Sequence, residues 1–234
     1  MRFEERALTY DANALPQRSF ASKVAQSLQC SPGDEVLELG AGTGALTAFL
    51  CARPGLRVVA TDASPAMVAL GKTAVPLAQW KILDAFSETL PPSTIQVSSG
   101  LLQWAPDPAR VLQSWKQGLL PGARMLHAFP CQPCLREWRD VLHESPVFWR
   151  SECEWLELFA AAGLRVTRKC LWKDRWFFGS ALDMVRAMHR SGVTGRARVG
   201  PGALRSALRS YDRQYGSPEG VRATWAWLAV EAEP

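Results

Sequence analysis

The 234-residue chain contains no apolar run of about 18 residues, the length a helix needs to cross a bilayer, so no membrane-spanning helix is expected. Its first residues, Met1-Arg2-Phe3-Glu4-Glu5-Arg6, hold acids and no apolar core segment. They lack the pattern of a secretory signal, and a cytoplasmic protein is expected. Histidine is scarce, with only His127, His143 and His189. The six cysteines include one C-x-x-C pair, Cys131-Gln132-Pro133-Cys134. A structural zinc site wants a second such pair or well-spaced histidines, and neither is present, so no metal is expected. Reduced, buried or half-buried thiols are the simpler expectation. No internal repeat and no low-complexity tract occurs.

What is present suits one large domain over residues 1–234. Hydrophobic residues make up 47% and charged residues 21%, a share that argues against global disorder. The net charge of +5 is unevenly spread. From Arg165 to Arg213 there are twelve Lys or Arg against the three acids Asp174, Asp183 and Asp212. An anionic partner could meet that region.

Residues 1–30 read as a helical lead-in, with Leu15, Phe20, Val24, Ala25 and Leu28 at three- and four-residue steps. Pro32-Gly33-Asp34 is a turn before the apolar strand Val36–Leu39. Strands are then expected at 56–61, at 80–83, at 94–98 and at 123–129, with helices at 45–52, from Ser64-Pro65 onward and at 108–117. Pro121-Gly122 is expected to close the last of these helices. A helix near 153–162 and strands near 164–172 and 221–230 follow. Residues 178–215 read as two helices with a Gly/Arg-rich link, a cap over the strand ends that Phe177 and Phe178 would begin. This alternation predicts a doubly wound, mostly parallel α/β sheet.

Ligands of such sheets bind beyond the carboxyl ends of the strands, where the first strand's turn lies. Here that turn is Glu38-Leu39-Gly40-Ala41-Gly42-Thr43-Gly44. Gly40 and Gly42 permit close backbone approach. The same residues satisfy G-x-G-x-x-G/A, a dinucleotide pattern. Three features favour another ligand. Glu38 is placed to point at it, which would repel a pyrophosphate and attract a sulfonium with an amino-acid tail. The third glycine, Gly44, follows Gly42 after one residue, a G-x-G-x-G spacing that resembles methyltransferases. Asp62 ends the second strand, where it could accept from both ribose hydroxyls, and Asp84 ends the third, where it could accept from an adenine amine. Each acid alone could equally be a helix cap or a solvated loop residue.

Tyr10-Asp11-Ala12-Asn13-Ala14-Leu15-Pro16-Gln17, the turn at Glu38–Gly44, Leu101-Leu102-Gln103-Trp104, Leu135-Arg136-Glu137-Trp138 and the segment Gly216–Trp225 share a further likeness. Together they resemble the malonyl-acyl-carrier-protein O-methyltransferases of biotin synthesis, within the class I S-adenosylmethionine-dependent superfamily. The resemblance implies a Rossmann-like, seven-stranded sheet with an antiparallel last strand and a helical cap. It implies S-adenosylmethionine as cofactor, S-adenosylhomocysteine as its product, and no metal. The cofactor would be held by Gln17, Glu38, Gly40, Ala41, Gly42, Gly44, Asp62, Ala63, Met67, Asp84, Ala85, Phe86, Ser99 and Leu101. Tyr10, Arg136 and Phe178 would serve the acceptor. Arg196, Arg198, Arg205, Arg209 and Arg213 would dock an acidic acyl carrier protein. The segment Phe129–Cys134 lacks the Gly/Thr-rich run expected before Arg136.

Three alternatives stay open on the sequence: another small-molecule methyltransferase, an RNA-binding or RNA-modifying protein using the basic C-terminal third, and a non-catalytic cofactor binder. Against the second, Ser98-Ser99-Gly100-Leu101 stands where an N-P-P-Y signature would lie.

Overall fold

The computed structural model describes residues 15–142, 149–190 and 199–234. Helix α1 (Leu15–Ser27) leads into β1 (Glu35–Leu39), α2 (Ala45–Cys51), β2 (Arg57–Asp62), α3 (Pro65–Ala74), β3 (Gln79–Ile82) and β4 (Ser93–Ser99). A 3₁₀ turn (Leu102–Trp104) precedes α4 (Pro108–Gln117), β5 (Leu119–Pro130), α5 (Arg136–Val141) and α6 (Glu152–Ala161). Then come β6 (Arg165–Phe178), α7 (Ala181–Arg190), α8 (Pro201–Tyr215), β7 (Gly216–Ser217) and β8 (Gly220–Glu233).

Local chemistry sets several boundaries. Ser64 accepts from Met67 N at 3.3 Å and Pro65 fills the first helical position of α3. Asp107 caps α4 in the same way, accepting from Arg110 N at 3.1 Å ahead of Pro108. Val111, Leu112 and Trp115 then fall on one face of α4 and are buried. Ser151 and Glu154 cap each other at the start of α6.

The strands form one sheet in the order β3-β2-β1-β4-β5-β8-β6. β1 to β5 pair in parallel, and β8 is antiparallel to both β5 and β6. The expected count of seven strands is corrected to eight by β7, whose two residues pair only with β8. One core layer joins Phe20 and Val24 of α1 to Leu46 and Leu50 of α2 and to Trp225 and Trp227 of β8. The other sets Val111 and Trp115 of α4 and Trp155 and Phe159 of α6 on the opposite face.

Three expectations fail for physical reasons. Pro121-Gly122 does not close α4: it lies inside β5, where the register against β4 slips and Ser93 pairs with Leu119 while Ile95 pairs with Arg124. The bulge tolerates a proline that a regular ladder would not. β6 runs on to Phe178 rather than ending near residue 172, because a sheet-edge strand accepts the charged Lys173-Asp174-Arg175. Phe177 and Phe178 therefore end that strand instead of beginning the cap.

β6 and β8 outrun β5. β5 ends opposite Trp227, whereas β8 still pairs with β6 from Val221 to Trp225. This overhang would leave one edge of β8 bare. Cys131 N donates to Ala226 O at 3.0 Å, Leu135 N to Thr224 O at 2.6 Å, and Tyr211 Oη to Arg222 O at 2.8 Å. Thr224 N in turn donates to Glu137 at 3.1 Å. The loop after β5, α5 and α8 thus complete the ladder that β5 abandons. α1 joins the same core layer, where the Phe20 ring stacks on Trp227 at 4.8 Å and Lys23 meets Asp174 at 2.5 Å. The two helices read over 178–215 are α7 and α8, and their link at 191–198 lies outside the described residues.

Candidate active site

The turn between β1 and α2 bridges two strand ends. Ala41 N donates to Thr61 O at 2.8 Å and Gly42 N to the Asp62 carboxylate at 2.9 Å. Gly40 sits against Leu101: a Cβ there would come within 2.7 Å of its Cδ1. Gly42, at φ +58°, has no heavy atom of the described residues within 4 Å of where a Cβ would stand. The backbone is therefore open to a ligand at Gly42 and closed by packing at Gly40.

Asp62 is half-buried, and its second oxygen accepts from Ser64 N at 2.9 Å. Asp84 accepts from Phe86 N at 3.0 Å and from Ser87 Oγ at 2.8 Å. A carboxylate offers roughly four lone-pair positions, so each aspartate keeps about two for ligand hydroxyls or amines. Glu38 is placed differently from the expectation. It is 2% exposed, lies beneath the turn, and takes a 2.7 Å hydrogen bond from Thr47 of α2. Its peptide oxygen accepts from Thr61 Oγ1, also at 2.7 Å.

Burial, with a smaller push from the charge of Asp62, raises the Glu38 carboxyl to about 8 against the bond from Thr47. Burial also raises Asp62; the Ser64 and Gly42 amides oppose this, and Asp84 adds to it. The acids thus repel along a line, Glu38 to Asp62 to Asp84. Such a line is relieved by a cation with hydrogen-bond donors, which is the character of an adenosyl sulfonium. The residues present fit that group.

The other expected cofactor residues line the same strand ends. Ala63 is exposed and Met67 buried; Ser99 and Leu101 are half-buried at the end of β4. Ala85 is buried and its oxygen accepts from Trp115 Nε1 at 2.7 Å, while Phe86 stacks on Trp115 at 6.4 Å. Gln17 lies on α1, and its Oε1 is buried without a hydrogen-bond partner among the described residues. On the acceptor side the residues are more scattered. Tyr10 lies outside the described residues, Arg136 is exposed at the start of α5, and Phe178 ends β6 opposite Val221. Arg205, Arg209 and Arg213 are exposed on α8, whereas Arg196 and Arg198 lie outside the described residues.

Two contributors escaped the sequence reading. Thr47, which fixes Glu38, is nine residues away and joins it only because the chain reverses at the turn. Glu137 is fully buried between α5 and β8, unlike the exposed Arg136 beside it. His127 is buried too, with Nδ1 2.8 Å from Ser98 Oγ, and burial holds it down to about 3, so it is neutral. Cys131 and Cys134 belong to opposite core layers, and burial pushes each thiol up to about 12. All six cysteines are free. Among the described residues no group of three or more His, Cys, Asp or Glu could hold a metal ion, and no helix is long and apolar enough to cross a membrane.

Known proteins resemble this chain in sequence and in fold. Residues 37–125, the segment carrying the turn and all three acids, match the methyltransferase domain family. The malonyl-[acyl-carrier protein] O-methyltransferase of Anoxybacillus flavithermus is 25% identical over 98% of this chain and 94% of its own length. The trans-aconitate 2-methyltransferase of an Azoarcus species is 34% identical over 41% of this chain and 38% of its own. A crystal structure assigned as a methyltransferase from Bacillus halodurans superposes with a TM-score of 0.66 over 92% of this chain and 98% of that one, at 13% identity. The fold is that of the class I methyltransferases, and the enzyme is a S-adenosylmethionine-dependent methyltransferase.

Proposed function

We propose that the protein is a cytoplasmic carboxyl methyltransferase. It moves the methyl group of S-adenosylmethionine to the free carboxylate of malonyl-acyl-carrier protein, giving the methyl ester that starts pimeloyl and biotin synthesis. The observation that carries this is the similarity along nearly the whole chain to the Anoxybacillus enzyme of that name. The carboxylate-lined turn agrees with it.

Bound at this turn, the cofactor supplies a methyl group on a positively charged sulfur. Asp62 takes the ribose hydroxyls, Asp84 the adenine edge, and the open backbone at Gly42 faces the amino-acid tail, with Glu38 behind it. Gln17, Ala63, Met67, Ala85, Phe86, Ser99 and Leu101 wall the site. The acceptor carboxylate is already ionised at neutral pH, so no residue need act as a base. What remains is positioning and exclusion of water, worth up to roughly 7–11 kcal/mol in favourable systems. Tyr10 and Phe178 serve the acceptor, and Arg136 meets the negative charge of the arm that carries it. α7 and α8 form the cap. Arg205, Arg209 and Arg213 follow one another at four-residue steps and present a cationic face suited to an acidic carrier, and Arg196 and Arg198 are further docking candidates outside the described residues.

A second acceptor is favoured by one observation: the matched stretch of the Azoarcus enzyme, whose name specifies trans-aconitate. That molecule is also a carboxylate. Incubation with cofactor and either malonyl-carrier protein or trans-aconitate, read by mass spectrometry, separates the two. One added methyl on the malonyl carrier is expected. A methyl on trans-aconitate alone, or on neither, removes the malonyl assignment.

A further inference from the structure

Three arginines gather where the β6–β8 overhang passes the end of β5. Glu137, 1% exposed in its side chain, accepts from Thr224 N at 3.1 Å and from Thr224 Oγ1 at 2.5 Å. Its Oε1 also lies 3.9 Å from Arg136 Nε and 3.9 Å from Arg222 Nε. One buried carboxylate oxygen therefore holds two guanidinium groups side by side. Their side chains remain 51% and 41% exposed. Arg222 lies over the Tyr215 ring at 5.3 Å, which fixes it from below, and its Nε is buried with no hydrogen-bond partner among the described residues. Arg175, exposed on β6, pairs in register with Thr224 and so shares its face. Asp140, also on α5, is turned away to accept from Tyr215 Oη at 2.7 Å. The result is a preformed fork of two half-exposed guanidinium groups that share one buried carboxylate.

Which anion suits this fork follows from the chemistry of the transfer. As the carboxylate oxygen bonds to the methyl carbon, the carbon–sulfur bond breaks and its electron pair returns to sulfur. Negative and positive charge vanish together. A fork gripping the reacting carboxylate would stabilise the starting state more than the transition state and slow the reaction. It is better matched to an anion that keeps its charge throughout. We propose that Arg136 and Arg222, with Arg175 beside them, bind the phosphate of the carrier's thioester arm and so set how far the malonyl group reaches toward the turn. This deepens, and rests on, the malonyl-carrier reading. Arginine is the side chain for the task because its planar fork matches phosphate oxygens two at a time.

Calorimetric titration of the full chain with pantetheine 4′-phosphate and with phosphate-free pantetheine tests this without any turnover. Saturable binding of the phosphorylated probe is expected, with the phosphate-free probe at least tenfold weaker. Arg136→Gln and Arg222→Gln should each weaken the phosphorylated probe by about tenfold or more, the share of one charge-assisted contact. Arg222→Gln leaves Glu137 with one cation fewer, so the exposed Arg136→Gln carries the test if that variant does not fold. Equal binding of the two probes, unchanged binding by the folded variants, or no saturable binding of the phosphorylated probe overturns the proposal. Absence of methyl transfer to malonyl-carrier protein would instead overturn the substrate assignment, a separate result.

Discussion

The cofactor-free protein should lose stability as pH rises from 5 to 9, and Glu38→Gln should flatten much of that loss. Burial raises the Glu38 carboxyl from 4.5 to about 8 in the folded chain. A group raised by folding favours the folded state fully below its unfolded pKa, and that advantage drains away as pH climbs through the folded value. At about 1.4 kcal/mol per pKa unit, a shift from 4.5 to about 8 sets an upper bound of about 5 kcal/mol between those limits. For a chain of this size each kcal/mol moves the melting temperature by about 2–4 °C, so the drop attributable to Glu38 is at most on the order of 10–20 °C. Glutamine keeps an acceptor for Thr47 but cannot ionise, so titrating groups that do not feel the Glu38 charge cancel when the two proteins are compared. Melting curves at one-unit pH steps, wild type beside Glu38→Gln, give the measurement. Parallel profiles would refute the reasoning, because they would mean that the buried carboxyl ionises in the folded state as easily as in the unfolded one.

The same linkage predicts proton release on cofactor binding at pH 7, since a nearby cation draws Glu38 toward its charged form. Titration in buffers of different ionisation enthalpy should show it in the wild type and less of it in Glu38→Gln. Gly42→Ala should cost only about 1–2 kcal/mol of stability, the strain of a left-handed alanine in otherwise open space, yet reduce cofactor affinity much more; paired melting and binding curves check the split. Phe20→Ala removes the ring wedged on Trp227 and should destabilise by about 3–5 kcal/mol in denaturant unfolding, through loss of a fully buried aromatic.

The parts of this molecule that sequence reveals are those governed by neighbours along the chain. α4 spans Pro108–Gln117 as expected, although Gly118 and not Pro121-Gly122 ends it, and the glycine turn declares itself between an apolar strand and an apolar helix. β6 was read too short because alternation of charge with apolar residues resembles a solvated loop until one knows that the strand lies at a sheet edge. Thr47 beneath Glu38, and Glu137 beneath its arginines, were invisible for a different reason. Each contact joins elements that only the folded turn or the β8 overhang brings together. Residue type could say that the Glu38 carboxylate stands at a strand end, but not that a hydroxyl holds it down and water is excluded from it.

The central claim is that carboxylates at neighbouring strand ends hold an adenosyl cofactor, and a crystal structure of the enzyme with S-adenosylmethionine tests it most directly. The account predicts ribose hydroxyls on Asp62, the adenine amine near Asp84, and the methionine portion over Gly42. Cofactor bound elsewhere, with Asp62 still bonded to Gly42 and Ser64 and not to a ribose hydroxyl, would contradict it.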